Sequence, residues 1–239
     1  MKIALLISGG GTTMEAIIKA AFDGRIKNVV PALVIASKPD AGGIEKALKL
    51  GILEKDILVI NPKVFETPKD FGEQIIKACR ERNVDFIVQY GWLAMTPENV
   101  INEYKNMIVN QHPGPLDNGR PDFGGPRMYG MRVHQARLEF VRRVNRDFWT
   151  EATAHRVTIE FDKGNIVKRK QITILQNDTS ETLQARLLPI EHEVQIETLQ
   201  DFANNNVQEF VRETPLILPE EEKVLEECKK IAIDMYPKG

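Results

Sequence analysis

Over its first hundred residues this chain alternates short, unbroken apolar runs with amphipathic stretches, and that alternation excludes most architectures. Residues 2–8, 29–37, 56–60 and 84–90 are such runs, and another ends at 107–110. Successive side chains of a strand point to opposite sides, so an unbroken apolar strand must be covered on both faces. Between the runs, residues 13–23, 43–49 and 68–82 keep helical spacing, the last with Phe71, Ile75, Ile76 and Cys79 as its apolar positions. Strand and helix in alternation predict an α/β fold built on a mostly parallel sheet with helices on both faces. Ligands of such sheets gather at the carboxyl ends of the strands, near the point where the strand order reverses.

The second half is less regular. Residues 117–130 dissolve into Gly, Pro and Asp and read as loop, and 132–148 reads as a strongly basic helix. Residues 152–161 and 165–174 are rich in β-branched side chains, and Asp162-Lys163-Gly164-Asn165 between them predicts a hairpin. Helical periodicity runs over 180–210, and a final amphipathic helix over 219–236. At 239 residues the chain suits one α/β domain with elaborations, or at most two small ones. No repeat, low-complexity tract or linker divides it.

Composition narrows the function classes. Thirty-two basic against 34 acidic residues imply neither a polyanion-binding face nor a disordered tail, and leave room for a local basic pocket for one phosphate. Arg142, Arg143 and Arg146 read as a solvated helix face, since no aromatic RNA-binding motif accompanies them. The apolar run at residues 3–7 is too short for a secretory segment or a bilayer span, and no later run is long enough. Cys79 and Cys228, far apart, give neither metal spacing nor a disulfide framework. A cytoplasmic protein with small-molecule partners, and with no nucleic acid or membrane partner, is expected.

Three constellations carry chemistry. Ser8-Gly9-Gly10-Gly11-Thr12-Thr13 follows a strand and opens a helix, where exposed N–H groups favour an anion. It lacks the Lys-Ser/Thr of a Walker loop, and Met14 stands where a dinucleotide fingerprint has its third glycine. A tight turn with threonine caps fits the same residues. Asn110-Gln111-His112-Pro113 ends an apolar strand, so Asn110 and His112 point the same way and offer an amide donor beside an imidazole. That pair suits a reaction in which an oxygen gains negative charge. A structural turn with a hydrogen-bonded histidine fits as well. Asp162 is an ordinary turn residue, or the partner that raises a catalytic histidine's pKa and holds it charged. Of the other histidines, His134 reads as surface or packing, His155 as pocket or core, and His192 as a solvated helix face. None has metal-ligand spacing, so no metal is expected.

Taken in this order, the motifs resemble the folate-dependent formyltransferases, in particular the phosphoribosylglycinamide formyltransferases of purine synthesis. The resemblance covers most of residues 1–195. It is closest from Lys2-Ile3-Ala4-Leu5-Leu6-Ile7 through Gly11-Thr12-Thr13 and on to Ser37-Lys38-Pro39-Asp40 and Gly91-Trp92-Leu93-Ala94-Met95. Asn110-x-His112-Pro113, Thr153-Ala154-His155 and Asp162 with Gly164 match the later signature.

The resemblance implies a Rossmann-like formyltransferase fold over 1–195, with a phosphate-binding half of about 1–110 and a folate and catalytic half of about 111–195. Residues 196–239 then form a C-terminal helical extension. It implies 10-formyltetrahydrofolate as co-substrate and formyl transfer to the amine of glycinamide ribonucleotide in purine (IMP) biosynthesis. The implied catalytic residues are Asn110, His112 and Asp162. Gly10, Gly11, Thr12, Thr13, Pro113 and Glu191 would bind the acceptor. Gly91, Trp92, Leu93, Ala94, Met95, Thr158, Ile159, Glu160 and Phe161 would bind the folate. A homodimer is left open. The chain departs from the family pattern at Gly114-Pro115-Leu116-Asp117, through the 117–130 loop, at Ala94 and at Lys163. Those departures keep other acceptors in view, an amino sugar nucleotide or methionyl-tRNA, and also formyl-folate hydrolysis. A nicotinamide dehydrogenase or a non-catalytic ligand-binding relative is more distant.

Overall fold

Burial explains the strands. In the computed structural model, which describes residues 1–238, β1 (Lys2–Ile7) hides every side chain from Ile3 to Ile7. β2 (Val30–Ala36), β3 (Ile57–Val59), β4 (Phe86–Gln89) and β5 (Ile108–His112) join it in the order β3-β2-β1-β4-β5. All four pairings are parallel. The chain steps outward from β1 through β2 to β3, then returns to the other side of β1 with β4 and β5. The order therefore reverses between β1 and β4. The helices α1 (Thr12–Phe22), α2 (Gly43–Lys49), α3 (Pro68–Glu81) and the short α4 (Glu98–Glu103) make the crossovers. α3 starts where Thr67 and Asp70 cap each other reciprocally and Pro68 takes the first helical position.

The chain forms two compact units. The first comprises Met1–Asn110 with Gln195–Val207, and Phe202 packs there on Phe86 with ring centroids 4.4 Å apart. The second comprises Gln111–Val194 and the residues from Gln208 on. It contains α5 (Met131–Val144), the antiparallel strands β6 (Trp149–Arg156) and β7 (Ile166–Thr173), and α7 (Glu222–Met235). α6 (Ser180–Ala203) belongs to it up to Val194. Its core joins Phe123, Phe140, Leu183, Leu216, Leu225 and Cys228.

The mostly parallel α/β architecture with a C-terminal helix is as expected, but several boundaries move. The strand expected over 152–161 is β6, which starts at Trp149 and leaves the ladder after Arg156. The Arg156 N–H still pairs with the Asn165 carbonyl, and a nine-residue loop rather than a four-residue turn lies before β7. The basic helix stops at Val144 because Asn145 adopts a left-handed conformation, with φ 54°. The helix expected to reach residue 210 ends at Ala203, and α4 was not foreseen at all.

Candidate active site

His112 ends β5 and is 2 % exposed. Its Nδ1 lies 3.7 Å from Asp162 Oδ2, and its Nε2 has no hydrogen-bond partner. Asp162 sits at φ 56°, a left-handed conformation that Asp adopts more readily than most residues. Its carboxylate also accepts the Gly125 N–H at 2.9 Å and faces His155 Nε2 at 3.4 Å. His155 Nδ1 lies 2.9 Å from the Arg156 carbonyl, so both ring nitrogens are engaged. Thr153 Oγ1 donates to the Gly114 carbonyl at 2.8 Å, tying β6 to the turn after His112.

Charge is distributed unevenly across this cluster. Burial lowers the His112 pKa, and this outweighs Asp162 and Asp122, which raise it. The sequence reading has Asp162 hold His112 charged; burial of the imidazolium opposes that pull. Burial also works against the Asp162 carboxylate, yet the charge that His112 and His155 present when protonated, with the Gly125 N–H, outweighs it and lowers the carboxyl pKa. A neutral imidazole with an unpartnered nitrogen, backed by a fixed anion, can take up a proton and return it.

Glu191 is buried and receives the side-chain amide of Gln111. Burial pushes its pKa up to about 7, against the hydrogen bond from Gln111. Pro113 is half-buried. Thr158, Ile159, Glu160 and Phe161 lie exposed on the loop before Asp162, where the Thr158 hydroxyl donates to the Glu160 carbonyl.

In the first unit, Gly11 caps α1 at φ 64° with no side chain capping the helix, so the threonines do not serve as its cap. A Cβ at Gly11 would stand 2.9 Å from Gly43 Cα. Gly9, Gly10 and Thr12 are exposed and Thr13 is buried. Ser8 ties this turn to its neighbours: its hydroxyl oxygen accepts the Leu93 N–H at 2.8 Å and the Ser37 hydroxyl at 2.7 Å. The Ser8 N–H donates to Gly91. The 91–95 segment thus stands at the carboxyl ends of β1 and β4, where the strand order reverses. Trp92 turns inward and stacks on Phe71 at 6.3 Å, whereas Leu93 and Met95 are 57 % and 61 % exposed. Its indole packs rather than presents a face. Asn110 stands half-buried two residues before His112 on β5.

The sequence reading gave no role to Asp122 or to Gly124-Gly125. Asp122 accepts the N–H groups of Asp117 and Gly124 and pairs with Lys163, shaping the loop that meets Asp162. The only signal was the Asp-Phe-Gly-Gly pattern itself, which allows close backbone approach. Among the described residues no group of three or more His, Cys, Asp or Glu could hold a metal ion. No described helix is long and apolar enough to cross a membrane.

The family model for formyl transferases matches residues 1–199. The chain is 32% identical over 218 residues to the chloroplastic phosphoribosylglycinamide formyltransferase of Arabidopsis thaliana, covering 90% of this chain and 70% of that one. It is 26% identical over 208 residues to the Escherichia coli (strain K12) enzyme of the same name, covering 87% and 90%. Among solved structures, glycinamide ribonucleotide transformylase 1 from Symbiobacterium toebii matches with a TM-score of 0.74 at 28% identity, covering 86% of this chain and 88% of that one. The phosphoribosylglycinamide formyltransferase from Anaplasma phagocytophilum matches at 0.71 and 27%, covering 91% and 98%.

Proposed function

The chain belongs to the formyl transferase family, and from that premise we propose that it carries the formyl group of 10-formyltetrahydrofolate to the amine of glycinamide ribonucleotide in purine synthesis. The observation that carries this reading is the buried His112, with Nε2 unpartnered and the ionised Asp162 behind it.

The amine nitrogen attacks the formyl carbon, and the formyl oxygen becomes an oxyanion that the Asn110 side-chain amide stabilises. Neutral His112 takes the proton that the amine loses. Asp162 then faces an imidazolium, which its charge stabilises against the cost of burial. As the intermediate collapses, the carbon–N10 bond breaks and His112 returns the proton to the departing tetrahydrofolate. Gly10, Gly11, Thr12 and Thr13 receive the ribonucleotide phosphate on open backbone at the start of α1. Pro113 and Glu191 line the acceptor. The 91–95 and 158–161 segments take the folate, Leu93 and Met95 offering apolar surface while Trp92 supports the segment from within. The phosphate-binding half is then about 1–110, the folate and catalytic half about 111–195, and 196–239 the extension.

The relatives' name favours the ribonucleotide amine over an amino sugar nucleotide and over hydrolysis. Buried thiols at Cys79 and Cys228 suit a reducing cytoplasm. Incubating the protein with 10-formyltetrahydrofolate and a panel of amines, while following tetrahydrofolate release, tests the proposal. Glycinamide ribonucleotide is the expected preferred acceptor. Faster transfer to an amino sugar nucleotide, or equal release with no amine present, contradicts it.

A further inference from the structure

Beyond the family match, which ends at residue 199, α7 reaches the loop around Asp162. On α7 the Lys229 ammonium donates to the Gly124 carbonyl at 3.2 Å. The N–H of the following residue, Gly125, donates to Asp162 Oδ2 at 2.9 Å. That carbonyl and that N–H are the two ends of one peptide group. Peptide resonance couples them, so a cation on the oxygen makes the N–H a stronger donor. We propose that Lys229 is a positioning residue of the formyl-transfer centre: through the 124–125 peptide it holds the Asp162 carboxylate, and through that carboxylate it sets His112. This rests on the catalytic roles given above to His112 and Asp162.

Both ends of the relay are built, not incidental. A Cβ on Gly124 would fall 2.7 Å from Asp162 Cβ and 2.7 Å from Leu116 Cδ2, so only glycine lets the peptide press on the carboxylate. Gly125 takes φ 104°, which a side chain would strain. At the other end, Leu225, Cys228 and Ala232 bury the face of α7 that carries Lys229, and the lysine side chain is 16 % exposed. It pairs with Glu226 on the same helix at 3.6 Å. The charged or titratable groups facing the cluster are His112 on β5, His155 on β6, His134 on α5, and Asp122 with its partner Lys163. A buried carbonyl needs some donor. A cation additionally strengthens the bond on the far side of the peptide.

Lys229→Met keeps the apolar stem and removes the donor, whereas Lys229→Arg keeps the charge. Three readouts go beyond a merely structural role: the Gly125 amide-proton shift, kcat against KM for each substrate, and the pH profile of kcat. In Lys229→Met the Gly125 proton should move upfield and kcat should fall on the order of threefold. KM for the amine should stay unchanged. The Asp162 charge, less compensated, then favours protonated His112, so the acid limb should move to higher pH. Lys229→Arg should restore all three. An unmoved Gly125 proton, or wild-type kcat and pH profile in Lys229→Met, overturns the proposal, as does an equal kcat loss in Lys229→Arg. If the wild-type protein transfers no formyl group, the catalytic reading falls, and the Gly125 shift alone then decides for or against the peptide coupling.

Discussion

Asn110 and His112 were legible because a strand's alternation puts residues two apart on one face, whatever the rest of the fold does. The charge state of His112 was not legible. It depends on burial set against two carboxylates, one contributed by a loop without a regular pattern and the other by the loop before β7. Glu191 shows the same arithmetic with a simpler outcome. Its pKa of about 7 in the folded chain stands above the ordinary 4.5, because burial disfavours the carboxylate. Between those values the unfolded chain loses this proton while the folded chain keeps it, so Glu191 destabilises the fold progressively as pH rises from about 4.5 to about 7. Glu191→Gln removes the titration and keeps an acceptor for Gln111. Denaturant midpoints across pH 4 to 8 should show the variant gaining on wild type by on the order of 3 kcal/mol over that window. A constant difference between the two proteins would contradict the account.

Elements were read well where pattern and burial agreed and poorly where a loop interrupted them. The turn from β1 to α1 was visible because its glycines interrupt two strong periodicities. The hairpin was misplaced because Val157, Thr158 and Ile159 continue a β-like run although the chain has already left β6. Similarly, Trp149–Glu151, which open β6, fell between the helix read over 132–148 and the strand read from 152. The β1–α1 turn carries its own prediction. A side chain at Gly11 meets both a left-handed backbone and Gly43 Cα, and strain of that kind costs about 1–3 kcal/mol. Gly11→Ala should therefore lower the unfolding midpoint and raise KM for the phosphorylated acceptor more than for the folate. Unchanged stability would show that the turn is not held as described, and an unchanged acceptor KM would remove it from phosphate binding.

For the molecule as a whole, the parallel strand order followed from the first hundred residues, but the course of the C-terminal segment did not. Nothing in a periodic pattern reveals that Leu216, Ile217, Leu225, Cys228 and Ala232 complete the core around α5. Nor does it reveal that a basic helix buries arginine. Arg137 is fully buried, donates to the carbonyls of Trp149 and Asp147, and lies over the Phe123 and Trp149 rings. Arg132 donates to the carbonyls of Tyr236 and Pro237. Ending the chain after Val207 would strip the partners of Arg132 and expose several apolar side chains, each worth about 1.5–3 kcal/mol when buried. Such a protein should lose its cooperative unfolding transition, as followed by circular dichroism. A sharp transition near the wild-type temperature would show the segment to be dispensable.

The central claim is that Asn110, His112 and Asp162 together move the formyl group and its proton, and steady-state turnover of Asn110→Ala, His112→Ala and Asp162→Ala with 10-formyltetrahydrofolate and glycinamide ribonucleotide tests it most directly. Each variant should keep its fold and lose roughly 100-fold or more in kcat. Near-normal turnover in all three would contradict the assignment.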